Sequence, residues 1–258
     1  MPHPRIFSGV AVALTTLFDD SLEVDAQATG AHARRLVDAG MRAIVVCGTT
    51  GEPETLSPSE KLQVLEAVLD AVAGDVPVVM GVTEPSGRQA AESAASAVGL
   101  VGGEMAGVLA RSPRGVPDPT DFYSRIHAAI GPVPLLAYHF PAVAPPGIPL
   151  NVLAGLPVVG HKDSSGDPER LLAALGVGGD IYVGASTLLL MAGAVGCAGA
   201  ILQLANAAPE QCLQAFAGDA DAQRALVEGH LRAKGDFPRG VKTLMHERFG
   251  TSPAFRLR

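Results

Sequence analysis

Apolar residues gather in eight short runs, each the length of one buried strand: "GVAVALTT" (9–16), "RAIVVCG" (42–48), "VPVVMG" (76–81), "MAGVLA" (105–110), "VPLLAYH" (133–139), "PVVGHK" (157–162), "DIYVGA" (180–185) and "CAGAILQ" (197–203). Between them the apolar positions recur at helical spacing. In 57–74, Leu62, Leu65, Val68 and Leu69 form one such stripe, and Ser57, Pro58 and Glu60 predict a capping box with proline at the first helical position. The segment 25–40 ends on a glycine that suits a helix stop. Weaker helical patterns follow Ser86, Asp118, Asp167 and Asn206, and 148–155 has room for barely two turns.

Strands that are apolar on both faces and alternate with helices imply a parallel sheet. Eight such units in about 250 residues predict an α/β fold of the (β/α)8 barrel type over an open doubly wound sheet. Residues 1–218 are expected to form the barrel. Residues 219–258 then form a short C-terminal helical extension, with two helices broken near Gly235 to Pro238.

Composition narrows the function classes. Lys plus Arg is 19 and Asp plus Glu is 26, a net charge of −7, with the charges dispersed. No basic patch invites nucleic acid or anionic lipid. Cys47, Cys197 and Cys212 are odd in number and widely separated, which implies neither a disulfide framework nor a zinc site and suits a reducing cytoplasm. The most apolar window, 188–205, is broken by closely spaced small residues, among them Gly193, Gly196 and Gly199, and predicts a buried helix, turn and strand rather than a membrane span. "MPHPRIFSGV" lacks the apolar core of a signal peptide.

In such a barrel the active site is built at the carboxyl ends of the strands. Those ends carry Thr15 and Thr16, "GTTGE" (48–52), "YHFP" (138–141), Lys162 followed by "DSSG", and Ser186. No cluster has metal-ligand spacing, and no nucleophile elbow or phosphate-binding glycine motif occurs, so neither metal nor cofactor is expected. The run "VVGHKDSSGD" (158–167) delivers an ammonium group at the end of a buried strand, which is costly. Either Lys162 pairs with a carboxylate such as Asp163, or its neutral amine serves chemistry. "GTTGE" reads either as a tight strand-to-helix loop or as backbone N–H groups and hydroxyls that hold a small carboxylate. Tyr138 reads as a core phenol or as a proton shuttle. A desolvated lysine is a nucleophile toward ketones, so the three together suggest Schiff-base chemistry on a 2-oxo acid.

The motifs "GTTGE", "YHFP" as a Tyr-x-x-Pro, and "GHKDSSGD" (160–167), in this order, resemble those of the dihydrodipicolinate synthase / N-acetylneuraminate lyase family from about Val10 to Phe249. The resemblance implies a (β/α)8 class I aldolase. Lys162 would form the Schiff base with pyruvate, Tyr138 would transfer protons, and Thr49 would relay them to Tyr138. Thr50, with Gly48 and Gly51, would bind the pyruvyl carboxylate, and the Ile201 carbonyl would border the site. Thr16, Ser164 and Ser186 complete the expected substrate-binding set. The resemblance also implies a homo-oligomer, a dimer or a dimer of dimers.

Three departures from the family pattern shape the functional expectation. The stretch "ARSPRGVP" (110–117) has no tyrosine where the family often has a Thr-Pro-Tyr-Tyr run that completes a relay in a neighbouring subunit. "AVAPPG" (142–147) has no arginine where the synthase binds its aldehyde's carboxylate, and the C-terminal region is short, which implies that a last packing helix is missing. "GHKDSSGD", "VGAS" and "LAN" look closer to 4-hydroxy-2-oxoglutarate and 2-keto-3-deoxy-sugar-acid aldolases, so aldol cleavage into pyruvate and an aldehyde is the expected reaction. A synthase, a Schiff-base dehydratase and a non-catalytic 2-oxo acid binder are the rivals. Arg111 and Arg114 read either as replacements for the missing anion contacts or as solvated loop arginines.

Overall fold

The computed structural model describes residues 5–257. Its eight strands are β1 (Gly9–Ala13), β2 (Ile44–Val46), β3 (Val78–Val82), β4 (Gly107–Arg111), β5 (Leu135–His139), β6 (Gly160–Asp163), β7 (Asp180–Val183) and β8 (Gly199–Leu202). All neighbours pair in parallel, and β8 returns to β1 through Ala11 and Ile201, so the sheet is a closed (β/α)8 barrel. Each strand falls within or at the edge of an apolar run. The ends differ where local chemistry intervenes: at the end of β1 the Ala13 carbonyl and the Thr15 N–H go to Asn206, and β2 stops before Cys47, which is left-handed at φ 52°.

Helices α1 (Ala26–Asp38), α2 (Pro58–Val72), α3 (Gly87–Val101), α4 (Thr120–Ile130), α5 (Leu150–Leu153), α6 (Pro168–Ala174), α7 (Leu189–Ala194) and α8 (Pro209–Phe216) ring the barrel. The expected capping box is formed: Ser57 Oγ accepts from the Glu60 N–H at 3.2 Å, and Glu60 Oε2 accepts from the Ser57 N–H at 2.7 Å. Asp25, Ser86, Asp167 and Asp219 cap their helices in the same side-chain-to-backbone manner. Beyond the barrel, α9 (Ala220–Gly235) and α10 (Arg239–Phe249) break between Gly235 and Pro238, and 251–257 runs back against the barrel. Among the described residues no helix is long and apolar enough to cross a membrane. The three cysteines are free and buried.

Two apolar layers result from the period-2 alternation of the strands. Val10, Val12, Ile44, Val46 and Met80 face the helices, whereas Ala11, Ala13, Val45, Val79, Leu109 and Leu136 fill the interior. At the amino-terminal end of the barrel, Phe7 stacks on Tyr182 with centroids 4.4 Å apart, and the Tyr182 hydroxyl donates to the Phe7 carbonyl at 2.9 Å. This pair forms a floor. From Tyr182 a continuous register row joins Tyr182 to Lys162, Lys162 to Tyr138, and Tyr138 to Arg111 across β7, β6, β5 and β4.

Candidate active site

Alternation along β6 decides where its charges go. His161 and Asp163 face the helix layer, and Lys162 faces the barrel interior at 5 % exposure. Asp163 accepts from Arg170 Nε at 2.7 Å and from both the N–H and the hydroxyl of Ser165. Burial by itself would raise the Asp163 carboxyl, but the hydrogen bonds from Ser165 and the charge of Arg170 outweigh it and hold it below the usual carboxylate range. Among the described residues no carboxylate lies within ion-pair distance of Lys162. Its Nζ instead sits 4.3 Å from the centre of the Tyr138 ring.

Of the three tyrosines, two are spent on structure. Tyr123 donates to the Ala110 carbonyl at 3.0 Å and Tyr182 donates to Phe7. Tyr138, the one beside Lys162, keeps its hydroxyl free of protein partners among the described residues. Phe140, two residues on, stacks on the same ring with centroids 5.8 Å apart and extends the wall toward the mouth. His139 faces the other way: its Nδ1 accepts from the Ile148 N–H at 2.8 Å, and burial lowers its pKa to about 4, which fixes it as a neutral loop anchor.

Gly48 to Gly51 form a 3-10 turn after β2, closed by the Gly51 N–H donating to the Gly48 carbonyl at 2.8 Å. The N–H groups of Thr49 and Thr50 open that turn and have no partner within it, and both residues are buried. Thr16 is committed behind the turn, its hydroxyl donating to the Gly51 carbonyl at 2.8 Å. The Thr49 hydroxyl is not bonded to Tyr138. Arg111 Nη1 donates to it at 3.2 Å, while Nη2 donates to Glu54 at 2.8 Å and to the Thr83 carbonyl at 3.3 Å. A guanidinium only donates, so Thr49 Oγ1 accepts here and its own proton points elsewhere.

Ser164 lies just past the end of β6, two residues after Lys162, and Gly184 makes room for both. A Cβ at Gly184 would overlap Ser164 Oγ and come within 3.0 Å of Lys162 Cε. Gly81 similarly lets β3 approach the turn, because a Cβ there would lie 2.6 Å from the Gly48 nitrogen. Ser186 bonds to His230 Nδ1 of α9 at 2.8 Å, and its carbonyl accepts from Gln223. Ile201 lines the interior beside Ala11. Arg114 donates to the Val143 carbonyl and ties the loop after β4 to the loop after β5.

Several contributors lie outside the sequence-derived set. Asn206 is fully buried and ties β1 to the loop after β8, accepting from the Thr15 N–H at 3.1 Å and donating to the Ala13 carbonyl at 2.7 Å. Lys242 of α10 is fully buried and pairs with Glu52 at 2.6 Å. Its place on the apolar face of α10, three residues before Met245, was the available signal. Among the described residues no group of His, Cys, Asp or Glu could hold a metal ion.

What gathers at the mouth of the barrel is thus an amine, a phenol and turn N–H groups that have no partner among the described residues. An uncharacterised DapA-like lyase of Halobacterium salinarum is 39 % identical over 220 residues, covering 80 % of this chain and 70 % of that relative. A 4-hydroxy-tetrahydrodipicolinate synthase of Salinibacter ruber is 34 % identical over 224 residues, covering 81 % and 72 %. The crystal structure of dihydrodipicolinate synthase from Aquifex aeolicus superposes with a TM-score of 0.86 at 26 % identity, covering 97 % of this chain and 91 % of that one. The model of the dihydrodipicolinate synthetase family matches residues 6–252, and the chain belongs to that family.

Proposed function

We propose that the chain is a class I lyase that joins and separates pyruvate and an aldehyde through a Schiff base on Lys162. One observation carries this reading: among the described residues Lys162 is buried without a carboxylate partner, and its amine lies beside the one tyrosine whose phenol has no protein partner. The neutral amine adds to C2 of a 2-oxo acid, and loss of water gives the imine. The carboxylate of the substrate rests on the Thr49 and Thr50 N–H groups and the Thr50 hydroxyl, which sets the carbonyl against Nζ. For a 4-hydroxy-2-oxo acid, the Tyr138 oxygen, having given its proton to the hydroxyl that left as water when the imine formed, takes the 4-hydroxyl proton as the C3–C4 bond breaks and releases the aldehyde. The bonding pair remains on C3 as the enamine, which recovers the proton from Tyr138, and water hydrolyses the pyruvyl imine. Substrates of the 4-hydroxy-2-oxo acid or 2-keto-3-deoxy sugar acid type fit this sequence.

The names of several relatives favour a second reading, the synthase reaction. Against it stands the segment 142–147, which has no arginine to take a second carboxylate. Borohydride reduction with pyruvate, followed by mass spectrometry, tests the common step: one reduced pyruvyl group is expected on the peptide containing Lys162, and labelling elsewhere or none sinks the reading. Release of aldehyde and pyruvate from a panel of 4-hydroxy-2-oxo acids then separates the aldolase from a synthase, a dehydratase or a silent binder.

A further inference from the structure

Glu52 ends the "GTTGE" run in the left-handed region at φ 56°, and its side chain is fully buried. A non-glycine residue stays there only where its surroundings over-determine it. Here they reach it from the far end of the chain. Lys242 Nζ lies 2.6 Å from Oε1, and the N–H groups of Arg256 and Leu257 donate to Oε2 at 2.8 and 2.7 Å. Lys242 also donates to the Ala254 carbonyl at 2.7 Å. The Arg256 guanidinium donates to the Leu22 and Thr55 carbonyls and to Glu60, and lies 4.6 Å from the Phe18 ring. The catalytic steps use none of these groups, yet Glu52 adjoins the turn that offers the Thr49 and Thr50 N–H groups.

We propose that Glu52 is a positioning residue through which the C-terminal segment 251–257 holds the Gly48–Gly51 turn in the shape that receives a 2-oxo acid carboxylate. This rests on the Schiff-base reading above. The carboxylate of Glu52 is the knot: one oxygen takes α10 and the other takes the tail. Loosening the tail removes donors from a buried carboxylate and lets the left-handed residue relax, so the turn loses its preorganised N–H groups. Binding of the 2-oxo acid weakens while the chemistry at Lys162 and Tyr138 continues.

Leu257→Pro removes one N–H donor and keeps an apolar side chain; Leu257→Ala keeps the N–H and is its control. Borohydride-trapped adduct is measured against pyruvate concentration. Because a hydrogen bond to a charged acceptor is at stake, the half-saturating pyruvate concentration of Leu257→Pro is expected to rise about tenfold, with full labelling of Lys162 at saturation and Leu257→Ala close to the unmodified chain. Arg256→Ala is expected to act in the same direction, with partial rescue by Arg256→Lys, and it decides the matter should Leu257→Pro not fold. Amide exchange across residues 48–52 is followed in parallel and is expected to quicken in Leu257→Pro and Arg256→Ala but not in Leu257→Ala. Unchanged half-saturation in a folded Leu257→Pro chain, with Lys162 labelled normally, overturns the positioning role and leaves the Schiff-base reading standing. No adduct in the unmodified chain removes the Schiff-base reading and the carboxylate-receiving role with it, and unaltered exchange at 48–52 removes the mechanical link as well.

Discussion

Lys162 and Asp163 are neighbours in the chain and do not meet: the carboxylate faces outward to Arg170 at 2.7 Å, and the amine faces inward over Tyr138. The ion pair that the sequence offered as an alternative is formed by a different cation. Asp163→Asn should therefore lower stability by about 1.5–3 kcal/mol, the range for a lost hydrogen bond to a charged group, and still allow pyruvate labelling of Lys162. Lys162→Arg should keep the fold and abolish labelling, because arginine stays protonated and forms no imine. Denaturant melts alongside borohydride trapping would check both.

Tyr138→Phe keeps the ring that packs against Lys162 and Phe140 and removes only the free hydroxyl. Turnover of a 4-hydroxy-2-oxo acid should fall by about 10²–10⁴-fold, with the defect in kcat rather than KM. Steady-state kinetics with unaltered kcat would move the proton transfer to another group, and His139 is already occupied by Ile148.

Arg111→Met strips Thr49 Oγ1 of its donor and leaves Glu54 without its cation. A loss of about tenfold in kcat/KM is expected from one charge-assisted hydrogen bond near the site. Arg111→Lys should recover little of it, since an ammonium cannot span Thr49, Glu54 and the Thr83 carbonyl as a planar fork does. Paired kinetics on the two variants test this.

His32, His139 and His161 are buried and neutral, their pKa values lowered to about 4, in each case chiefly by desolvation. An unfolded histidine titrates near 6.5, so between that pH and about 4 the unfolded chain binds more protons than the folded one. Stability should be fully present above pH 6.5 and fall as the pH drops toward 4, by on the order of 3 kcal/mol per histidine. Urea titrations from pH 7.5 to 4 on His161→Gln should show a shallower slope than on the unmodified chain.

Lys242→Met removes the cation from a pair with no solvent exposure on either side. A cost of roughly 3–5 kcal/mol is expected, because Glu52 is left charged and buried. Lys242→Met combined with Glu52→Gln should recover part of that loss, and a double-mutant cycle by thermal melts measures the coupling.

The strands and caps were legible because they are local: apolar runs set the eight strands, and Ser57 to Glu60 wrote their own capping box. Which way a strand residue faces was legible in principle from period 2, and "GVLAR" places Arg111 on the same side as Leu109. What Arg111 then touches was not, since Thr49 lies 62 residues away across β3. Separation along the chain likewise hid Ser186 on His230 and Glu52 on Lys242: each pairing is made by helices that return from the C-terminal region, and neither partner carries a local motif.

The Phe7–Tyr182 floor has a kinetic meaning. With the amino-terminal end of the barrel closed beneath Lys162, a substrate enters and leaves through one mouth, and the fragment bound to lysine lies deeper than the fragment that is cut off. On the proposed chemistry the aldehyde must depart first and pyruvate second, so pyruvate should inhibit competitively against the 2-oxo acid and the aldehyde noncompetitively.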